Sequence, residues 1–261
     1  MTEKLIVEKQ GPIGWITFNQ PEKRNAVSVE MWEAMPAALE KFDADPEVRV
    51  IALKGAGDKA FVSGADISQF EKQRSGPEAV QHYEEIAERA QMMLYGYEKP
   101  TVAVIRGYCL GAGVNIALCC DLRIAADDAR IGIPAARMGL GYRTTSTKNL
   151  VDTVGAANAR EILLTARQYP ADEAKAIGLV HRVVPVADLE RAARELLEGI
   201  GANAPLMMAS AKFIVRELLK SPPGFDAAAC TATVKRCFES EDYKEGRTAF
   251  MEKRKPAFKG R

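Results

Sequence analysis

The run Thr101-Val102-Ala103-Val104-Ile105 passes directly into Arg106-Gly107-Tyr108-Cys109-Leu110-Gly111-Ala112-Gly113-Val114-Asn115, and this junction decides the fold. Five successive apolar or β-branched residues predict a buried strand. A glycine-punctuated turn follows, then a helix of about ten residues, then strand-like Leu122-Arg123-Ile124-Ala125. Upstream, Val48-Arg49-Val50-Ile51-Ala52-Leu53 reads as another buried strand that ends at Gly55-Ala56-Gly57 and leads towards a second turn, Ser63-Gly64-Ala65-Asp66-Ile67. Strand, turn, short helix and strand recur at least twice before residue 131, with helices too short and irregular for an open doubly wound sheet.

Working outward, two short strands open the chain at 4–9 and 13–18, with Gly11-Pro12 as the turn between them. Ser28 caps a helix whose Met31, Met35, Leu39 and Phe42 fall at helical spacing and form a core stripe. A polar stretch near 71–77 precedes a long helix over 78–96, whose charge run Glu84-Glu85 with Glu88-Arg89 reads as a solvated face. Beyond 143 the pattern is almost wholly helical, apart from Val180-His181-Arg182-Val183-Val184. The expected organisation is an α/β core over 1–190 and a helical subdomain over 191–261.

Composition narrows the partners. The 261 residues are 47% hydrophobic and 27% charged, with a net charge of +1, so no global field points to nucleic acid or a membrane surface. No apolar run approaches the roughly 20 residues of a membrane span. The first residues enter a strand directly, which excludes a signal peptide and predicts a cytoplasmic protein. Five cysteines, two of them adjacent at Cys119-Cys120, form neither a disulfide framework nor a metal motif and read as reduced, mostly buried thiols. His82 and His181 are too few and too far apart for a histidine metal site.

The two glycine turns carry the chemistry. Amides at the start of a helix lack intrahelical acceptors and sit at the positive end of the helix dipole. Gly64 beside Ala65, and Gly111 and Gly113 beside Ala112, are expected to clear side chains from two N–H donors aimed at one oxyanion. A dinucleotide turn starts similarly, but Ile116 replaces the third glycine of that motif.

These turns, with Pro21-Glu22-Lys23-Arg24-Asn25-Ala26 and segments 60–67, 107–113, 120–125, 174–180 and 240–254, resemble the crotonase superfamily, that is, the enoyl-CoA hydratase/isomerase proteins. The resemblance covers essentially the whole chain. It implies a spiral ββα core with a C-terminal helical trimerisation subdomain, and a homotrimer or homohexamer. The substrate it implies is an acyl-CoA thioester, with CoA part of that substrate and no separate cofactor. It places CoA near Lys23, Arg24 and Ala26, and the adenine near Ser63, Asp66 and Ile67. Phe250 and Lys253, in the last helix, would touch a neighbour's CoA. The amides of Ala65 and Ala112 would hold the thioester oxygen.

The same resemblance exposes a departure. Family hydratases carry glutamates where this chain has Asn115 and Ala135. Asn115 reads either as a helix polar group bonded to its own backbone or as an amide that orients water. Tyr142 and Arg143 follow Gly139-Leu140-Gly141 and read either as acyl-pocket residues or as a trimer interface. Family dehalogenases place an aspartate at the Arg143 position, whereas a family decarboxylase carries a tyrosine matching Tyr142. Loss of CO₂ yields an enolate without a base, so the leading expectation is a non-standard lyase such as a decarboxylase, with Arg143 orienting the leaving carboxylate. A weak hydratase or isomerase, an acyl-CoA hydrolase and a non-catalytic acyl-CoA-binding protein are the alternatives. His82 reads as a solvated helix residue or an acyl-pocket residue, and Cys109 as wall.

Overall fold

In a computed structural model the described residues are 2–66, 77–220 and 224–261, without the side chains of 77–81 and 250. Ten strands occur among them: β1 (Leu5–Gln10), β2 (Ile13–Phe18), β3 (Val50–Gly55), β4 (Ala60–Val62), β5 (Thr101–Ile105), β6 (Tyr108–Leu110), β7 (Leu122–Ala126), β8 (Arg130–Gly132), β9 (Gln168–Pro170) and β10 (Arg182–Val184). The described helices are α1 (Val29–Asp43), α2 (Pro77–Gly96), α3 (Ala112–Cys119), α4 (Thr144–Thr165), α5 (Ala171–Ala176), α6 (Leu189–Gly201), α7 (Pro205–Leu218), α8 (Ala227–Glu239) and α9 (Glu241–Glu252).

The strands form two sheets, of order β1-β2-β3-β5-β7-β10 and β4-β6-β8-β9. Pairing is parallel from β2 to β10 in the first sheet, with β1 antiparallel at its edge. In the second, β4, β6 and β8 run parallel and β9 antiparallel. Each turn of chain therefore gives one strand to each sheet and then a helix: β3-β4-α2, β5-β6-α3, β7-β8-α4. This is the expected ββα spiral.

Strand alternation explains the continuous apolar runs. Ile51, Leu53, Ala103, Ile105 and Ala125 point into the main core with α1, α2 and α3. Val50, Ala52, Val102, Val104, Ile124 and Ala126 point the other way, onto Leu189, Ala193 and Leu197 of α6. A sheet covered on both faces has no polar side to show. The expected division at residues 190 and 191 thus cuts a helix that belongs with the core. Its i, i+4, i+8 apolar stripe seals the second face of the sheet, leaving α7, α8 and α9 as the helices beyond it.

Three-residue strands account for the other differences. β6 lies within a segment that reads as a turn, β4 and β8 fall in stretches to which the sequence assigns no element, and β9 interrupts the stretch expected to be helical. Neighbouring strands supply their hydrogen bonds, so no long alternating pattern marks them. Ser28 caps α1 as expected, its Oγ accepting from the Met31 N–H at 3.3 Å. Among the described residues no helix is long and apolar enough to cross a membrane.

One buried side chain ties the first loop to both sheets. Asn25, fully buried and at φ 56°, accepts from the Gln20 N–H at 3.0 Å and donates to Ala56 O at 2.9 Å and Ala60 O at 2.8 Å. It holds Lys23, Arg24 and Ala26 beside β4. Asn25→Ala strands these three groups and puts alanine in a left-handed conformation, and is expected to lower the unfolding free energy by about 3 kcal/mol, read by urea denaturation.

Candidate functional site

The first turn is pinned on either side of Ala65. Val27 N–H donates to Gly64 O at 2.8 Å and Asp66 N–H donates to Val27 O at 3.0 Å. Gly64 adopts φ 126°, a backbone conformation that L side chains rarely adopt. In the second turn Gly111 takes φ 52° and ψ −110° and caps α3, whose first residue is Ala112. A Cβ built on Gly111 would lie 3.9 Å from Gly64 Cα, so the two turns lie side by side. Among the described residues, neither the Ala65 nor the Ala112 amide donates to any acceptor.

Gly113 serves a different purpose from the one expected. A Cβ there would fall 2.2 Å from the Val62 carbonyl oxygen. Its missing side chain lets α3 press against β4 and does not clear the space before Ala112.

Both alanines open into one cavity of 150 Å³, which Asn115, Ala135, Tyr142 and Arg143 also line. The Tyr142 hydroxyl donates to Asn115 Oδ1, so this asparagine side chain is bonded to the tyrosine. Burial pushes the Tyr142 phenol well above its ordinary value, and it stays protonated at neutral pH. Arg143 caps α4 and reaches back across the cavity to α2. Its Nε lies 3.2 Å from Glu84 Oε2, Nη1 donates to Glu84 O at 3.2 Å, and Nη2 donates to Gln91 Oε1 at 3.1 Å. The guanidinium expected to meet a substrate carboxylate is therefore already engaged by a carboxylate of the protein.

Glu84 corrects the reading of its charge run. Glu85 and Arg89 are exposed, but Glu84 lines the cavity together with Tyr83, Ala87 and Gln91. The spacing 84, 87, 91 marks one face of α2, which was the signal available in the sequence. Ser146, in the first turn of α4, was likewise unforeseen as a lining residue. His82 is exposed and does not line the cavity. Cys109 is buried in the core at β6 and does not line the cavity, and desolvation raises its thiol far above the ordinary value. Among the described residues no three His, Cys, Asp or Glu side chains gather as a metal-holding group.

The residues that the resemblance gave to CoA divide into two sets. Ser63 N–H donates to Arg24 O at 3.2 Å and Ser63 Oγ to Lys23 O at 3.4 Å, which gathers these three beside the cavity wall at Gly64. The Arg24 guanidinium stands 5.0 Å above the Tyr108 ring. Ala26 is buried. The Asp66 carboxylate turns inward, accepting from Lys23 Nζ at 2.8 Å and Gln20 Nε2 at 3.1 Å. Ile67 and the Phe250 side chain lie outside the described residues. Lys253 is not in the last helix but follows it, exposed and at φ 56°, and it does not line the cavity.

Comparison with known proteins agrees with this architecture along the whole chain. The sequence model of the enoyl-CoA hydratase/isomerase family matches residues 8–261. The chain is 34% identical to a short-chain-enoyl-CoA hydratase of Clostridium acetobutylicum, covering 98% of each protein. It is 32% identical to a crotonyl-CoA hydratase of Syntrophomonas wolfei, again over 98% of each. A solved enoyl-CoA hydratase/carnithine racemase of Magnetospirillum magneticum superposes with a TM-score of 0.95 at 32% identity, covering 100% of this chain and 97% of that one.

The buried phenol generates a pH test. Above pH 10 the unfolded chain ionises its tyrosine while the folded chain resists, so unfolding is favoured as pH rises. Wild type is expected to lose stability more steeply than Tyr142→Phe above pH 10, and to match its slope below pH 9, in urea titrations across that range.

Proposed function

This chain belongs to the enoyl-CoA hydratase/isomerase family, and from that premise we propose that its Ala65 and Ala112 amides form an oxyanion hole for an acyl-CoA thioester. The observation that carries this is the pair of acceptor-free N–H groups on adjacent turns, both opening into one cavity. Such donors stabilise the enolate more than the ground-state carbonyl, because charge develops on the oxygen they face. CoA lies along Lys23, Arg24, Ala26 and Ser63, with the adenine against the Asp66 backbone.

The reaction proposed is addition of water to a short enoyl-CoA. Glu84 is the one carboxylate among the described lining residues, and the relatives of equal length named above are hydratases. Water gives a proton to Glu84 and its oxygen to the β-carbon, leaving the enolate in the hole. Tyr142 then turns its hydroxyl proton from Asn115 Oδ1 to the α-carbon and protonates it, and the proton on Glu84 returns to the phenolate through solvent. The position of Glu84 on α2 substitutes for the carboxylates absent at Asn115 and Ala135.

Decarboxylation of an α-carboxyacyl-CoA is the second reading, favoured by a protonated Tyr142 beside a hole that needs no base. Against it stands Arg143, whose guanidinium is bonded to Glu84 and Gln91. Self-association as a trimer is part of the proposal. The supporting feature is an apolar groove of 700 Å³ between α7, α8 and α9, with Leu206, Met207, Ile214, Val234, Phe238 and Phe258 on its walls.

Crotonyl-CoA and methylmalonyl-CoA separate the two readings. Hydration of crotonyl-CoA is expected, with Glu84→Gln lowering kcat by about 10²–10⁴. Ala112→Pro deletes one donor at a helix position that tolerates proline, and is expected to cost about 10²–10³ with little change in Tm. CO₂ release from methylmalonyl-CoA without crotonyl-CoA hydration overturns the hydratase assignment. Absence of both, with no α-proton exchange of bound acyl-CoA in D₂O, overturns the enolate function.

A further inference from the structure

A second cavity, of 460 Å³, lies at the opposite end of α3 from Ala112 and shares no described lining residue with the first. Arg123 of β7, only 6% exposed, lines it. Three of the guanidinium N–H groups have protein acceptors: Nε donates to Leu179 O at 2.8 Å, and Nη1 to Ala117 O at 3.0 Å and Cys120 O at 2.8 Å. Nη2 bonds to no described residue, yet it is not among the polar atoms sealed from solvent without a partner. It therefore keeps accessible surface, and the cavity is the space onto which Arg123 opens. Among the described residues no carboxylate pairs with this guanidinium. The carbonyls ending α3 offset only part of its charge, since a helix terminus carries about half an elementary charge.

Arg216 of α7 brings a second cation to the same wall. Its Nη1 donates to Tyr95 O at 3.4 Å, and it too has no carboxylate partner among the described residues. The carboxylates that line the cavity are already matched. Asp121 Oδ2 lies 2.6 Å from Lys212 Nζ and accepts from the Thr101 N–H at 2.7 Å, and Asp152 accepts from Lys148. Positive charge is left over. His181 adds a neutral donor: its Nδ1 accepts from the Arg123 N–H at 3.2 Å, which places the ring proton on Nε2. Burial and the Arg123 and Arg182 cations lower its pKa, in keeping with a neutral ring.

We propose that this cavity binds a phosphoryl group, free or carried on a small organic molecule, through Arg123, Arg216 and His181. Charge selects the class: a dianion matches two unpaired guanidiniums, whereas a monoanion leaves one of them unmatched. Shape agrees, because donors from three separate segments suit the three terminal oxygens of a phosphoryl group better than the two of a planar carboxylate. The volume falls in the range of small-molecule sites, and Leu118, Val215 and Leu219 on the same wall offer an apolar surface to the rest of an ester.

Inorganic phosphate, phenyl phosphate and acetate, titrated calorimetrically into the full-length protein at constant ionic strength, test this apart from catalysis. Both phosphates are expected to saturate one site and to bind at least about tenfold more tightly than acetate. Tighter binding of phenyl phosphate supports an ester as the ligand, and tighter binding of inorganic phosphate supports the free ion. The chain has two histidines, so NMR locates the site: the His181 signals are expected to move while those of exposed His82 stay. Arg216→Gln is expected to weaken phosphate binding about tenfold to a hundredfold. Arg24→Gln, in the segment proposed to meet CoA, is expected to leave the His181 shift unchanged. Absence of saturable binding, acetate binding as tightly as phosphate, or phosphate binding that Arg216→Gln leaves intact overturns the proposal. Binding abolished by Arg24→Gln alone overturns it too, by placing the anion at the other cavity, and leaves the acyl-CoA reading standing.

Discussion

The close approach of α3 to β4 at Gly113 governs the geometry of everything near the two turns. A methyl group there would sit 2.2 Å from the Val62 carbonyl, so any side chain forces helix and strand apart. Val62 is followed directly by Ser63, Gly64 and Ala65, and Gly113 is preceded directly by Ala112. The contact therefore sets the distance between the two amides from one residue away on the helix and a few on the strand. Rigid elements on both sides make that distance a property of the fold and not of a flexible loop.

Electrostatics in the cavity follows a second arrangement, in which three successive helices face one another. α3 carries Asn115, α4 begins with Arg143 as its cap, and α2 brings Glu84 and Gln91. Arg143 joins α4 to α2 through both a carboxylate and an amide, and Tyr142 joins the segment before α4 to α3. A third bond, from Trp32 Nε1 to the Tyr83 hydroxyl at 3.0 Å, joins α1 to α2 in the same wall. Gln91 Nε2 and Ser146 Oγ are buried with no partner among the described residues.

Much of this was legible in the residues alone, for identifiable reasons. Thr101–Ile105 and Val50–Gly55 are apolar on both faces, and such runs read as covered parallel strands. The α1 cap and its stripe announce themselves through Ser28 and the spacing of Met31, Met35, Leu39 and Phe42. The second sheet did not, because Ala60–Val62, Tyr108–Leu110 and Arg130–Gly132 are each shorter than the period needed to show alternation. Glu84 was hidden by its neighbours: one charge among Glu85, Glu88 and Arg89 looks solvated until a partner, Arg143, arrives from a helix start 59 residues away. Sequence adjacency likewise joined 189–201 to the C-terminal helices, whereas its apolar stripe answers a sheet face built from residues as distant as Ile13 and Trp15.

The spiral order of strands and helices also has a consequence for how the protein reaches its native state. Each of the three ββα turns donates one wall of the cavity, from α2, α3 and α4 in succession. A chain with only two turns docked would have part of the parallel sheet but lack one wall of the cavity. Arg143, from the third turn, meets Glu84 across a sequence gap far longer than any local contact in the sheet hairpin. The cavity is thus complete only when all three turns are docked, in whatever order they assemble, so recovery of ligand binding on refolding reports the whole spiral where secondary-structure signals report its parts.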